Sequence, residues 1–270
     1  MLVSKSNAWN NEPEEQPLSP AEIFSQQGTA QPLEQLDWDK RGVFGFNSRD
    51  SRSRPFNLLR AQVLKITQAR KWKIIGVTSA TPRVGKSFMA ANLAASLSRI
   101  PGTHTLLFDL DLRRGSIAET FDIKEGLGIN NFLAGEVTSL DDAAREVVGT
   151  RLTIFPSFRS EEPSAELLAG GRFKTLVKAM RSLPENVICI CDLPPAFAND
   201  DAAIILREID AYLLVVEEGK TTARQVSDTI DVLHPAPCLG TVLNRYHGGV
   251  AGDDYGFGYG SYGDYAAYYS

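Results

Sequence analysis

Short, almost continuously apolar runs alternate with stretches of helical periodicity from about residue 55 onward. Such runs are typical of strands that are buried on both faces of a sheet. They comprise residues 73–79, 103–109, 151–155, 186–192, 210–216 and 238–244. Helices are predicted over residues 55–71, 87–100, 127–134, 140–147, 164–182 (with a break at Gly170-Gly171), 200–207 and 221–233. This alternation predicts a doubly wound α/β domain with a mainly parallel sheet, in which ligands bind at the carboxyl ends of the strands.

The two ends of the chain differ in composition from this middle part. Residues 1–52 are rich in Pro, Glu, Gln, Ser and Asn, which predicts a mostly disordered arm. Its short apolar pieces, residues 23–24 and 43–46, either dock on a partner or are stray apolar residues in a linker. Residues 247–270 combine tyrosine with Gly, Ser and Asp, show no regular period, and are predicted to be flexible. The predicted organisation is therefore an arm (1–52), a folded domain (53–246) and a tail (247–270).

Composition and charge exclude several classes of protein. The net charge of -5 argues against nonspecific nucleic-acid binding. No run approaches the ~18 apolar residues that a membrane-spanning helix needs, and the first residues lack the apolar region of a signal peptide. We therefore expect a cytoplasmic protein without a membrane span, whose association with a membrane depends on a partner.

The cysteines indicate a reducing environment. Cys189 and Cys191 alternate within an apolar run and would face the same side of a strand, while Cys238 stands apart. A Cys-x-Cys pair can bind metal, but no second pair or histidine cluster accompanies it. The pattern predicts buried, reduced thiols.

Residues 79–87, Ser-Ala-Thr-Pro-Arg-Val-Gly-Lys-Ser, join a predicted strand to a predicted helix. They match the P-loop pattern G-x-x-x-x-G-K-[ST], except that Ala80 replaces the first glycine. In such a loop the backbone N–H groups cradle phosphate oxygens, Lys86 would reach the β- and γ-phosphates, and Ser87 would bind Mg²⁺. The alternative is an ordinary turn with a surface lysine.

Acidic residues follow two of the predicted strands. Asp109 and Asp111 project on the same side near the end of one strand, and Asp192 follows another apolar run. An acid at the position of Asp192 usually orders Mg²⁺ in P-loop proteins, and Pro194-Pro195 stiffens the chain after it. Each acid alone is equally consistent with a solvated strand end, but the three segments together are more specific.

These segments resemble the three Walker-type motifs of the bacterial tyrosine autokinases that act in capsule and exopolysaccharide systems. The motifs correspond to residues 79–87, 106–113 and 187–195, and the similarity covers about residues 55–246 with the tyrosine-rich tail added. Residues 126–136, 163–168 and 239–245 are also similar to the family. The related partition and septum-positioning ATPases carry a signature lysine where this chain has Thr81.

The resemblance implies a role for each site residue. The nucleotide would be bound by Thr81, Pro82, Arg83, Val84, Gly85, Lys86, Ser87 and Phe88, with Arg113 near phosphate and Asn244 near adenine. Mg²⁺ would be held by Ser87, Asp109 and Asp192. Asp109 would alternatively activate the attacking hydroxyl, with Asp111 supporting the site. The implied cofactors are therefore ATP and Mg²⁺, and the implied catalytic residues are Lys86, Asp109, Asp111 and Asp192.

Four positions depart from the family pattern. Arg83 stands where many relatives have glycine, and Leu193 replaces the threonine of Asp-Thr-Pro-Pro. The oligomerisation motif E-x-x-R-x-x-R aligns with Arg54, Asn57 and Arg60, of which only Arg60 matches. These departures leave two alternatives to an active kinase: a nucleotide-switched P-loop scaffold, and a weakly catalytic adaptor that presents its tail to another kinase.

Six tyrosines occur within the last sixteen residues, at Tyr255, Tyr259, Tyr262, Tyr265, Tyr268 and Tyr269. Three interpretations compete: the tyrosines are phosphoacceptors, they are adhesive ("sticker") residues of a low-complexity segment, or they are an accidental feature of a disordered end. Beside a P-loop, and given the resemblance, we interpret them as phosphoacceptors. The resemblance further implies control of polysaccharide polymerisation and export. Its implied partners are an activating membrane co-polymerase or chain-length regulator that recruits the protein to the plasma membrane, a tyrosine phosphatase, and further copies of the chain.

Overall fold

The computed structural model describes residues 18–24, 30–34, 37–160 and 162–246. The strands are β1 (Gln31–Leu33), β2 (Ile74–Ser79), β3 (His104–Asp109), β4 (Arg145–Val147), β5 (Leu152–Phe155), β6 (Val187–Asp192), β7 (Ala211–Glu217) and β8 (Cys238–Asn244). The α-helices are α1 (Pro20–Ile23), α2 (Arg54–Arg70), α3 (Lys86–Leu97), α4 (Ser116–Thr120), α5 (Ile129–Leu133), α6 (Ser164–Ala169), α7 (Gly171–Ser182), α8 (Asp201–Leu206) and α9 (Ala223–Leu233). The six strands predicted from apolar runs are all present, and the helix break at Gly170 separates α6 from α7.

The eight strands form one sheet in the order β1-β4-β5-β3-β6-β2-β7-β8. Every neighbouring pair is parallel except β4 and β5, which are antiparallel. This confirms the predicted fold class. The register of β3 and β6 places Asp109 directly beside Asp192. Two of the predicted site acids therefore meet at the carboxyl edge of the central strands.

Hydrophobic cores lie on both faces of the sheet, which explains the continuous apolar runs. One core packs side chains from α5, α6, α7 and α8 against the sheet, and the other packs α2 and α3 against the opposite face. Cys189 and Cys191 are buried free thiols in the first core, as predicted, and Cys238 is half-buried and free. Within the described residues, no helix has the length and apolar character needed to cross a bilayer.

The folded domain begins earlier than residue 53. Ile23 is buried in one core, while Trp38 and Val43 are buried in the other, and β1 adds a strand beside β4. The apolar pieces of the predicted arm thus dock on the chain's own domain. The composition of residues 1–52 does not predict this, because a few anchoring side chains suffice to fix a segment that is polar on average.

The predicted helix over residues 140–147 is also incorrect for most of its length. A 3₁₀ turn at Asp141–Ala143 is followed by strand β4. In β4, Arg145 and Val147 are buried while Glu146 is exposed, so the period is two rather than 3.6. Pairing with β1 and β5 decides the conformation of this three-residue segment.

Candidate functional site

The loop between β2 and α3 wraps around the N-terminus of α3, where backbone N–H groups have no intrahelical partner. Gly85 has φ +100°, a conformation that other residues rarely adopt. A Cβ atom at Gly85 would lie 2.2 Å from Nδ2 of Asn244, which donates a hydrogen bond to the Val84 carbonyl at 2.7 Å. Asn244, predicted to approach adenine, therefore contacts the loop backbone itself. The loop has the compact form that phosphate binding requires.

The remaining loop residues differ in exposure. Pro82 and Arg83 are exposed, Thr81 is half-buried, and Thr81 accepts a hydrogen bond from the Ser79 hydroxyl through its carbonyl at 2.8 Å. Arg83 has φ +65°, in the left-handed region. Phe88, one turn into α3, packs its ring edge-on against other aromatic rings rather than lying in the loop. The loop thus adopts at Arg83 a conformation that suits glycine better than arginine.

Lys86 is the centre of a buried cluster of charges. Its ammonium lies 2.8 Å from Oδ2 of Asp111 and 3.5 Å from Oδ1 of Asp192. Burial alone would lower the pKa of Lys86, but the carboxylates of Asp192, Asp111 and Asp109 outweigh it and raise the pKa. Lys86 is therefore a fixed positive charge at the start of α3.

Asp109 organises the turn that follows β3. Its carboxylate accepts hydrogen bonds from the backbone N–H groups of Asp111 at 3.3 Å and Ile117 at 3.0 Å. Burial, followed by the neighbouring Asp192, raises the pKa of Asp109 well above its usual range. At the end of the turn, the Ser116 hydroxyl bonds to the Ser87 hydroxyl at 2.7 Å. The turn thus brings both Asp111 and Ser116 onto the P-loop.

Asp192 is fully buried, and within the described residues its carboxylate makes no close hydrogen bond beyond the 3.5 Å approach of the Lys86 ammonium to Oδ1. Burial raises the pKa of Asp192, with Lys86 acting in the opposite direction. Three carboxyl groups thus surround one ammonium group. Both the excess of acids and the weakly paired Asp192 oxygens suit a divalent cation. Within the described segments, no group of three or more His, Cys, Asp and Glu side chains is arranged to hold a metal ion.

The segment after Asp192 lies against the P-loop. The backbone N–H of Ala196 donates to the Ser79 carbonyl at 2.8 Å, and that of Phe197 donates to the Ala80 carbonyl at 3.1 Å. Leu193 is fully buried and fills the space above Gly76, where a Cβ atom would meet its side chain at 2.6 Å. Leucine in place of threonine at this position therefore packs in the core.

Arg113 lies on the same turn as Asp111 but outside the buried cluster. Its Nε atom donates to the Ser164 hydroxyl at 2.8 Å and lies 3.4 Å from Oδ2 of Asp201. Ser164 in turn donates to Asp201 at 2.7 Å, and Asn199 donates to the same oxygen at 2.8 Å. The side chain of Arg113 is 57% exposed, whereas that of Asp201 is 1% exposed.

Sequence reasoning missed three residues that hold the site together. Ser116, Asp201 and Asn92 have no motif that marks them. Asn92 lies on α3 and accepts from the backbone N–H groups of Phe44 at 2.7 Å and Gly45 at 3.1 Å, joining the P-loop helix to the N-terminal segment. The predicted phosphoacceptors, Tyr255, Tyr259, Tyr262, Tyr265, Tyr268 and Tyr269, lie outside the described residues.

Comparison with known proteins provides evidence about the chain's family that is independent of the geometry of the site. The chain is 30% identical over 216 residues to the tyrosine-protein kinase CpsD of Streptococcus agalactiae, covering 79% of this chain and 88% of that protein. It is 28% identical over 208 residues to the tyrosine-protein kinase ptk of Acinetobacter johnsonii, but spans only 28% of that longer protein. No family model matches the chain.

The solved structures to which this chain is similar also include a tyrosine kinase domain. The kinase domain of the Escherichia coli tyrosine kinase ETK superposes with a TM-score of 0.69 at 25% identity, covering 85% of this chain and 94% of that domain. The cell-division ATPase MinD of Pyrococcus furiosus superposes with a TM-score of 0.54 at 24% identity, covering 65% and 73%. The second likeness shows the shared P-loop fold alone. Such relatives imply that the site binds a nucleotide.

Proposed function

This chain belongs to the family of bacterial tyrosine-protein kinases, and on that basis we propose that it uses Mg-ATP to phosphorylate tyrosines of its own C-terminal tail. The observation that carries the proposal is the buried cluster of Lys86, Asp111 and Asp192 at the start of α3. Its charges suit a triphosphate and a divalent cation, and the last sixteen residues of the sequence include six tyrosines.

The residues of the chain would act mainly by binding and positioning. The loop N–H groups and Lys86 hold phosphate oxygens, while Ser87 and Asp192 bind the cation directly or through water. When bound, ATP would supply the phosphoryl group, and Mg²⁺ would neutralise negative charge on its oxygens. Because the cluster is buried, these interactions act in a low-dielectric site, where they are stronger than in water.

The two acids after β3 have different surroundings, which suggests different roles. Asp109 is fully buried and binds two backbone N–H groups, so it is suited to shaping the turn. Asp111 is the acid that touches Lys86, and it is the better placed of the two to accept the proton of an incoming tyrosine hydroxyl. The proposal therefore gives Asp111 the proton-accepting role that the resemblance assigned to Asp109.

The proposed setting is the control of capsule or exopolysaccharide synthesis at the inner face of the plasma membrane. A membrane co-polymerase would recruit and activate the protein, a tyrosine phosphatase would reverse the modification, and several copies would assemble. In this chain Asn57 and Arg60 contact α3: Asn57 accepts from the Ser96 hydroxyl at 3.2 Å, and Arg60 donates to the Ser96 carbonyl at 2.9 Å. These two side chains are thus engaged within the chain itself.

Intact-protein mass spectrometry tests the kinase proposal. Phosphatase-treated full chain is incubated with Mg-ATP beside a Lys86→Met variant, with and without the cytoplasmic part of a co-polymerase. Successive phosphate increments that map to residues 255–269 and vanish in the variant are expected. If no increment appears under either condition while ATP still binds, autophosphorylation is rejected and the chain is a nucleotide-switched scaffold or an adaptor.

A further inference from the structure

Two exposed arginines border the phosphate site on the turn between Asp111 and Ser116. Both ends of this turn are fixed to the P-loop, through Asp111 to Lys86 at 2.8 Å and through Ser116 to the Ser87 hydroxyl at 2.7 Å. The N–H groups of Arg114 and Gly115 both donate to the Asp111 carbonyl, at 3.0 and 2.8 Å. The side chains of Arg113 and Arg114 are therefore presented from a rigid turn at the rim of the site.

Arg113 is held in place by a buried acid that lies outside the cluster around Lys86. Asp201 is 1% exposed and joins α8 to Ser164 of α6, and both contact the Nε atom of Arg113. Because these contacts use Nε, the terminal amino groups of the guanidinium remain available at an exposed position. Arg114 forms no ion pair with any residue in the described part of the chain. The rim thus offers two cationic groups, one of them preorganised.

The tail carries the complementary charge next to two of its tyrosines. Residues 247–270 contain three aspartates and no lysine or arginine. Asp254 directly precedes Tyr255, and Asp264 directly precedes Tyr265. The other four tyrosines follow Gly258, Ser261, Ala267 and Tyr268.

We propose that Arg113 and Arg114 select acceptor tyrosines that directly follow an aspartate, with Asp201 and Ser164 as positioning residues for Arg113. This inference rests on the proposed kinase function and adds a rule for its substrate. A tyrosine that reaches the cluster at Lys86 places its preceding residue at the rim. There a carboxylate pairs with a guanidinium, which favours planar, two-point contacts. Since the contact is exposed, the preference is modest, about two- to five-fold.

A charge-neutral exchange in the tail tests the rule. Ser261→Asp combined with Asp264→Ser moves the aspartate from before Tyr265 to before Tyr262 without changing the net charge. Initial phosphorylation rates of both tyrosines are measured by peptide mass spectrometry relative to Tyr268 in the same molecules. The preferred site is expected to move from Tyr265 to Tyr262, by about two- to five-fold at each. Unchanged ratios overturn the proposal.

Variants at the rim test which residues cause the preference for tyrosines that follow an aspartate. Arg114→Gln and Asp201→Asn are both expected to bring the Tyr265 to Tyr268 ratio towards one. Arg151→Gln, which removes an exposed arginine directly before the first residue of β5, should leave the ratio unchanged. A purely structural effect of Asp201→Asn would slow all tyrosines equally and keep the ratio, which would refute the positioning role. Absence of phosphate on every tyrosine of the unaltered chain would overturn the kinase function itself, whereas phosphorylation without preference overturns only the selection.

Discussion

Substituting Gly45 by alanine tests whether the N-terminal segment belongs to the folded domain. Gly45 is buried against α3, and a Cβ atom there would lie 2.3 Å from the Asn92 carbonyl oxygen and 2.9 Å from both the Ala95 Cβ and the Ser96 nitrogen. All three atoms belong to the backbone or the Cβ positions of a helix, so none can rotate away. The segment would have to retreat by roughly 1 Å to restore ordinary contact distances.

The cost follows from what this retreat disrupts. Overpacking of a core by one methyl group costs about 1–3 kcal/mol. The retreat also stretches the hydrogen bonds from Phe44 and Gly45 to Asn92, which are 2.7 and 3.1 Å long, and each is worth about 1 kcal/mol. We therefore expect Gly45→Ala to lower the free energy of unfolding by about 2–4 kcal/mol, or the melting temperature by roughly 5–15 °C.

The measurement is urea unfolding of the full chain, followed by circular dichroism and by the fluorescence of the buried Trp38, with Gly171→Ala as the matched control. A Cβ atom at Gly171 meets nothing within 4 Å, so this variant should differ from the unaltered protein by less than about 1 kcal/mol. Equal stability of the two variants would refute the packing of residues 44–46 against α3.

Two further predictions concern single residues. Arg83→Gly should raise the free energy of unfolding by about 0.5–1 kcal/mol, because the relief of left-handed backbone strain at φ +65° exceeds the entropy that glycine adds to the unfolded chain. Thermal unfolding checks this beside a control variant, Arg151→Gly, which should lower the stability. A loss of stability in both variants would contradict the prediction. Burial raises the pKa of the Cys189 and Cys191 thiols. A thiol reagent at pH 8 should therefore modify the half-buried Cys238 first and the other two cysteines only on unfolding. Rapid modification of all three would contradict the burial of Cys189 and Cys191.

The fold was predictable where burial dominates the local sequence. Strands such as β6 and β7 have a neighbouring strand on each side and are covered on both faces, so nearly every side chain must be apolar. β4 has three residues and lies near the edge, and its conformation depends on partners distant in sequence. The same limit applies to Trp38, whose burial depends on a groove built by later parts of the chain.

The site was predictable to the extent that its residues lie in local motifs. The spacing of Gly85, Lys86 and Ser87 is set by the turn itself and is therefore visible in the sequence. The contacts of Ser116 with Ser87 and of Ser164 with Asp201 join residues that are 29 and 37 positions apart. Nothing in the local sequence marks such pairs, because only the strand order brings them together.

The docking of β1 beside β4 makes the two margins of the sheet unequal. β1 is three residues long and contains Pro32, which has no N–H to offer another strand. Short, proline-bearing strands at a margin resist pairing with other molecules and so protect against aggregation. A chain that lacked residues 31–33 would expose the edge of β4 instead. Truncation to residue 53, the boundary that the sequence suggests, would remove β1 and with it this cover of the β4 edge.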